Sequence, residues 1–226
     1  MFNLDDITVI IVNYRTLDLT SLCVESLLEF YPTVKLLLID NGSGDTSSEY
    51  IQRIADKHPG IRCQINLNNR YHGPALDQGL HACRSRLALI LDSDIIMNKA
   101  GLLEGMTSVI EDAEIYAVGR CVDMDWFGYE TEAQLPLTFP YIHPACMLLR
   151  RDIYLKLKPF IHHGSPGIRN MRQAWRAGYE LVDFSIQEYL THEGRGTCSR
   201  YGYSLGVKHN IEFLLHNALC RLYSAG

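Results

Sequence analysis

Two carboxylates, Asp92 and Asp94, stand one residue apart where the apolar run LALIL (87–91) ends, with only Ser93 between them. Apolar packing offers such a pair nothing, so it must meet either water or a cation. As solvated turn residues the two acids would cap the next helix, near Asn98 and Lys99. As a converging pair, with the small Ser93 letting the chain turn, they can share a divalent cation that neutralises both. Such a cation can hold a diphosphate and stabilise the charge that develops on it as it leaves.

The elements that must position this pair are legible from periodicity. ITVIIV (7–12) is a continuous β-branched run, the pattern of a strand buried on both faces. Residues 19–31 place Leu19, Leu22, Cys23, Leu27 and Phe30 on one helical side, and Pro32 ends that helix. VKLLLID (34–40) reads as a second strand, NGSGDTS as turn and cap, and residues 47–58 as a second helix. Residues 61–67 give a third strand, 74–84 a third helix and 87–92 a fourth strand. Strands alternating with helices at this spacing imply parallel pairing and right-handed crossovers, hence an open, mostly parallel α/β sheet. Ligands of such sheets lie beyond the carboxyl ends of the strands. That rule puts Asn13-Tyr14, Asp40-Asn41, Arg70 and Asp92-Ser93-Asp94 along one rim.

Beyond residue 120 the pattern loosens. DMDWFGYETEAQLPLTFP (123–140) reads as loop, residues 143–157 as a strand running into a helix, 168–179 as a helix closed at Gly178, and 179–185 as a short strand. Residues 204–222 close the chain with an amphipathic helix. The expected organisation is one domain over 1–226: a first half to residue 120, a second over 121–203, and the terminal helix over 204–226.

Charge divides the same way. Residues 1–141 hold 10 Lys and Arg against 20 Asp and Glu, while residues 142–226 hold 11 against 6. A basic second half suits an anionic ligand such as phosphate. Arg150, Arg151, Lys156, Lys158, Arg169, Arg172 and Arg176 supply much of that charge, and Trp126, Phe127 and Tyr129, in the loop-like stretch, offer surface for stacking on a sugar ring. The seven cysteines are scattered and form no CxxC pair, which argues for unpaired thiols in a reducing compartment. No run approaches the roughly 18 apolar residues of a membrane span, and MFNLDDITV is too acidic for a secretory signal. The expected location is cytoplasmic, with the terminal helix available for a membrane surface, the core or a second copy of the chain.

ITVIIVNYRT, LLLIDNGSGDTS and NNRYHGPALDQGLHACRSRLALILDSDI, in this order, resemble the nucleotide-sugar-binding half of a GT-A glycosyltransferase of the family 2 type. The likeness covers residues 6–120, with a fainter continuation over 140–194. It implies a GT-A domain with a smaller acceptor-side subregion, a nucleotide-diphosphate sugar as donor, and Mn2+ or Mg2+ as cation. By the resemblance, Val12 and Tyr14 flank the nucleotide base, and Asp40 accepts a hydrogen bond from it. Arg70 lies near the diphosphate, and Asp77 stands where many relatives carry Asn. Asp92 serves ribose and metal, with Ser93 in the same motif; Asp94 is the direct metal ligand, and His192, in THEGRG, completes the shell with Arg195 nearby.

One feature of the resemblance is missing. Inverting relatives carry an acid at the start of the helix ending in AWRAGY, to deprotonate the acceptor hydroxyl. The matching positions here are Gly167, Ile168 and Arg169. A base could come instead from Asp183, Glu188, Glu193, Asp152, His162 or His163. A retaining enzyme would need none, and a silent sugar-nucleotide-binding domain acting as scaffold or regulator is the rival in another class. The acceptor implied is a hydroxyl on a glycan, a lipid-linked sugar, a nucleic acid or a protein, with phosphate matching the basic half. No GxGxxG follows the first strand, so dinucleotide oxidoreductases are excluded, and VNYRTLDLTSL (12–22) lacks the Gly-rich loop of nucleotidyltransferases.

Overall fold

The structure, a computed structural model, describes residues 1–132, 138–161 and 165–194. His162, His163, Arg195 and the expected helix over 204–222 lie outside the described residues.

Among the described residues, fifteen α-helices and β-strands follow one another: β1 (Ile7–Asn13), α1 (Leu17–Phe30), β2 (Lys35–Asp40), α2 (Ser47–Lys57), β3 (Ile61–Ile65), α3 (His72–Ala82), β4 (Leu87–Leu91), β5 (Ile95–Met97), α4 (Leu102–Val109), β6 (Ile115–Asp125), β7 (Thr138–Arg150), α5 (Arg151–Tyr154), α6 (Ile168–Arg176), β8 (Glu180–Asp183) and β9 (Leu190–His192). Seven strands form one sheet in the order β3-β2-β1-β4-β7-β6-β8, and β5 pairs with β9 apart from it. β3, β2, β1 and β4 run parallel; β7 is antiparallel to both β4 and β6, and β8 is parallel to β6.

Strand periodicity divides the core into two layers. Val9, Ile11, Leu36, Leu38, Leu89 and Leu91 face Leu27 of α1, Ile51 of α2 and Met106 of α4. Their neighbours Ile10, Val12, Leu37, Ile39, Ala88 and Ile90 face Leu76 and Leu80 of α3, while Met171 and Ala174 of α6 join the same layer. Both faces of the central strands are covered, which is why these strands read as unbroken apolar runs. The open, mostly parallel α/β sheet expected from the first half is the one observed.

The second half corrects the reading of residues 123–140 as loop. β6 continues to Asp125 and β7 starts at Thr138, so the two form a long antiparallel pair, Asp125 facing Thr138 and Met124 facing Phe139. The interspersed Asp123, Asp125 and Pro140 hid it. Pro140 is tolerated because β7 meets β4 only over Cys146–Arg150, leaving one side of its first half without a strand. A bulge interrupts the pair: Gly119 faces Met147 and Cys121 faces Ile142, so Arg120 alone stands opposite residues 143–146.

Candidate functional site

The carboxyl ends of β1, β2 and β4 deliver Asn13, Asp40 and Asp92 to one rim, as the sheet order requires. Short hydrogen bonds staple this rim together. The fully buried Asn13 donates from Nδ2 to Asp40 Oδ1 at 2.9 Å and to Ser43 Oγ at 3.0 Å, while its Oδ1 accepts from Thr20 Oγ1 at 2.8 Å. Asp40 also accepts from the Ser43 hydroxyl and backbone N–H. Asn41 spends all its capacity on the loop before α3: Nδ2 donates to Asn69 Oδ1 and the Tyr71 carbonyl, and Oδ1 accepts from Asn66 Nδ2 and the Arg70 backbone. Gly42, at φ +77°, lies so close to this loop that a Cβ would fall 2.4 Å from the Asn68 carbonyl carbon.

On this scaffold Tyr14 is partly open beneath the Arg15 guanidinium, 5.3 Å from its ring centre, and Val12 is buried in the core layer below. Arg70 donates from Nη1 to Gln78 Oε1 at 2.9 Å. Asp77 is engaged elsewhere, accepting the Tyr154 hydroxyl at 2.5 Å with His81 Nδ1 at 3.5 Å. Arg15 and Tyr71 hold positive φ, 57° and 65°, a backbone state that costs non-glycine residues about 1–3 kcal/mol and clusters at ligand-binding loops.

The acids at the end of β4 are brought to a histidine from the far end of the described chain. β5 and β9 pair antiparallel with Ile95 opposite His192, and the Glu193 N–H donates to the Asp94 carbonyl at 3.0 Å. His192 is therefore the last residue of β9 itself, in a ladder separate from the main sheet, and its Nε2 lies 3.1 Å from Asp94 Oδ1. Asp92, Asp94 and His192 each offer one ligand atom within 4.8 Å of the others, the group among the described residues that could hold a metal ion. Two carboxylate oxygens and one imidazole nitrogen match a borderline-hard divalent cation such as Mn2+.

Two further histidines converge on Asp92, and sequence reasoning missed them. His72, the first residue of α3, places Nε2 3.7 Å from Asp92 Oδ1. His143, in the β7 bulge, interacts electrostatically with Asp92, Arg120, His192 and Glu130. The Asp92 N–H donates to the Ala145 carbonyl at 2.8 Å, tying β4 to the same bulge. No sequence spacing links residues 72, 92 and 143; only the meeting of α3, β4 and β7 does.

The electrostatics are those of a site short of positive charge. Burial, then the Asp94 charge, push the Asp92 carboxyl up to about 6. Burial holds His72 down at about 4 against the pull of Asp94, and lowers His143 despite Asp92. The hydrogen bond to Asp94 raises His192.

The weak catalytic candidates fall in different places. Glu193 is beside Asp94 through its backbone. Asp183 accepts the Cys121 N–H at 2.8 Å and Glu188 is exposed. Asp152 sits in the short α5. At the start of α6, Gly167 is buried, and a Cβ there would lie 2.8 Å from Met171 Cε and 3.3 Å from the Phe160 ring. A side chain at this position has to displace the Met171 methyl and press on the Phe160 ring.

The family described as Glycosyl transferase family 2 matches residues 8–175. Among solved structures, a mannosyltransferase, PcManGT from Pyrobaculum calidifontis in complex with GDP-Man and Mn2+, superposes with a TM-score of 0.65 at 17% identity over 79% of this chain and 54% of its own. S. aureus TarS 1-349 in complex with UDP-GlcNAc superposes with a TM-score of 0.62 at 15% identity, over 86% of this chain and 61% of its own. The chain thus spans little more than half the length of these proteins. No curated protein sequence matches it.

Proposed function

This chain belongs to glycosyl transferase family 2, and from that premise we propose that it is a cation-dependent transferase moving a sugar from a nucleotide-diphosphate sugar to a hydroxyl acceptor. The observation that carries this reading is the convergence of Asp92, Asp94 and His192 at the carboxyl end of β4. Asp94 and His192, fixed by the β5–β9 ladder, hold Mn2+ or Mg2+ together with Asp92. When bound, the cation supplies the charge that stabilises the leaving diphosphate. The nucleotide lies along the rim, with Tyr14 as a stacking surface beside Val12 and Asp40 facing the base. Arg70, anchored by Gln78, meets the diphosphate. Asp77 supports from behind, bracing α3 against Tyr154 of α5. GDP-Man and UDP-GlcNAc, held by the two neighbours, are the first donors to try.

Glu193 follows His192 in sequence and its backbone N–H donates to the Asp94 carbonyl, which supports it as the first residue to test as the base that takes the acceptor proton. The five free cysteines among the described residues support a reducing, cytoplasmic location, and no helix among those residues is long and apolar enough to cross a membrane.

A second reading has its own support: with Gly167 packed against Met171 and Phe160, a domain that binds donor without transferring it would look the same at α6. Incubation with Mn2+ and a panel of nucleotide sugars, followed by chromatography, separates the two. Slow release of free sugar and nucleotide marks the transferase; saturable binding with no release, with or without acceptors, marks the silent domain.

A further inference from the structure

The face of α6 opposite its buried side carries Arg169, Arg172 and Arg176, spaced to share one stripe of the helix, and α6 contains no acidic residue. Among the described residues no carboxylate pairs with any of the three. Like charges at this spacing weaken a helix, and among the described residues no carboxylate offsets the stripe. Burial, and then the charges of Arg176 and Arg169, lower the pKa of Arg172.

The arginines are not simply splayed into solvent. Arg172 and Arg176 both stack on Trp126, 4.5 and 4.9 Å from the ring centre, and Arg172 also reaches Phe139. Stacking fixes each guanidinium plane while leaving its N–H edge free, which pre-organises a fork for an anion. Trp126 and Trp175 nonetheless remain 45% and 43% exposed, so an aromatic surface is open beside the charges. β7 links this face to the metal group: Phe139 lies under Arg172, and six residues along the strand the Ala145 carbonyl holds the Asp92 N–H. Six residues of strand span up to roughly 20 Å.

We propose that this face binds the acceptor, and that the acceptor is an extended molecule bearing phosphate. The inference rests on the transferase reading above and names the substrate class for its second site. The reacting hydroxyl meets the donor sugar beside Asp92, Asp94 and His192, replacing the diphosphate on its anomeric carbon, while a phosphate farther along the molecule is gripped by Arg172 and Arg176, with Trp126 and Trp175 as the aromatic floor.

The chain holds two tryptophans, and both lie here, so tryptophan emission, excited selectively at the red edge of absorption where tyrosine does not absorb, reports on this face. The full chain, kept metal-free with chelator, would be titrated with sodium tripolyphosphate, with maltotriose as neutral control and phosphatidylglycerol vesicles as a lipid surface. We expect a saturable change with tripolyphosphate that weakens with added salt. Arg172→Gln/Arg176→Gln should weaken it by roughly tenfold or more, as loss of charged hydrogen bonds does. Arg169→Gln, at an exposed position, is the second variant and should weaken it severalfold while the melting temperature holds or rises, since one repulsive charge is gone. No response to tripolyphosphate, equal affinity in the double variant, or a response to vesicles alone would overturn the proposal. Calorimetry of donor binding to the wild type with Mn2+ is read separately: its failure would remove the transferase reading while the fluorescence result still reports on the arginine face.

Discussion

His192 Nε2 stands 3.1 Å from Asp94 Oδ1 across the β5–β9 ladder, although 98 residues separate the two in sequence. A ladder of three residues per strand is a small device, and it brings one nitrogen and one oxygen within reach of a shared cation. Asp94→Asn should therefore leave the fold intact and weaken Mn2+ binding by more than the roughly 10–100-fold that changes behind a metal shell produce. Titration calorimetry with Mn2+ measures it; wild-type affinity in the variant would remove Asp94 from the metal shell.

His192→Ala should weaken the cation less than Asp94→Asn, because it removes a neutral ligand and leaves both carboxylates. Circular dichroism should be unchanged, since His192 ends its strand at an exposed position. A loss of donor binding with Mn2+ affinity intact would assign His192 to the donor instead.

The two carboxylates repel where burial already disfavours charge, and Asp92 is pushed up to about 6 as a result. In chelator, Asp92→Asn should raise the melting temperature, with about 1 kcal/mol of relief appearing as about 2–4 °C for a chain of this size. Mn2+ should stabilise the wild type and do little for the variant. A lower melting temperature in chelator would mean that Asp92 serves the fold through bonds the charge argument ignores.

Gly42→Ala tests the rim. With φ at +77° and the Asn68 backbone 2.4 Å from an added Cβ, the variant must push back the loop that carries Arg70. The expected cost is at least about 1 kcal/mol of stability, together with weaker donor binding, read by thermal melts and calorimetry. Unchanged donor affinity would separate Arg70 from the donor.

Gly167→Asp asks whether the absent acid can be restored. Because Met171 and Phe160 occupy the space, the variant should be destabilised and turnover should not rise. A gain in product formation would show that α6 retains the catalytic geometry of its relatives.

The first half of the fold was legible because β1, β2 and β4 are covered on both faces, leaving unbroken apolar runs that end in Asn13, Asp40 and Asp92. β6 and the first half of β7 were not, since Arg120, Asp123, Asp125 and Pro140 interrupt them and a bulge shifts their register. β5 and β9, at three residues each, carry too few positions for any period to show. Asp92 and Asp94 could be found because their spacing is local. His72 and His143 could not, because each is a lone histidine whose partner is supplied by another element.

The central claim is that a divalent cation at Asp92, Asp94 and His192 holds a nucleotide-sugar donor. Calorimetry of a nucleotide-sugar panel against the full chain, with Mn2+ and with chelator, puts it to the test. Saturable binding of one donor that disappears in chelator and in Asp94→Asn is the expected result; donor binding of equal strength with and without the cation would contradict it.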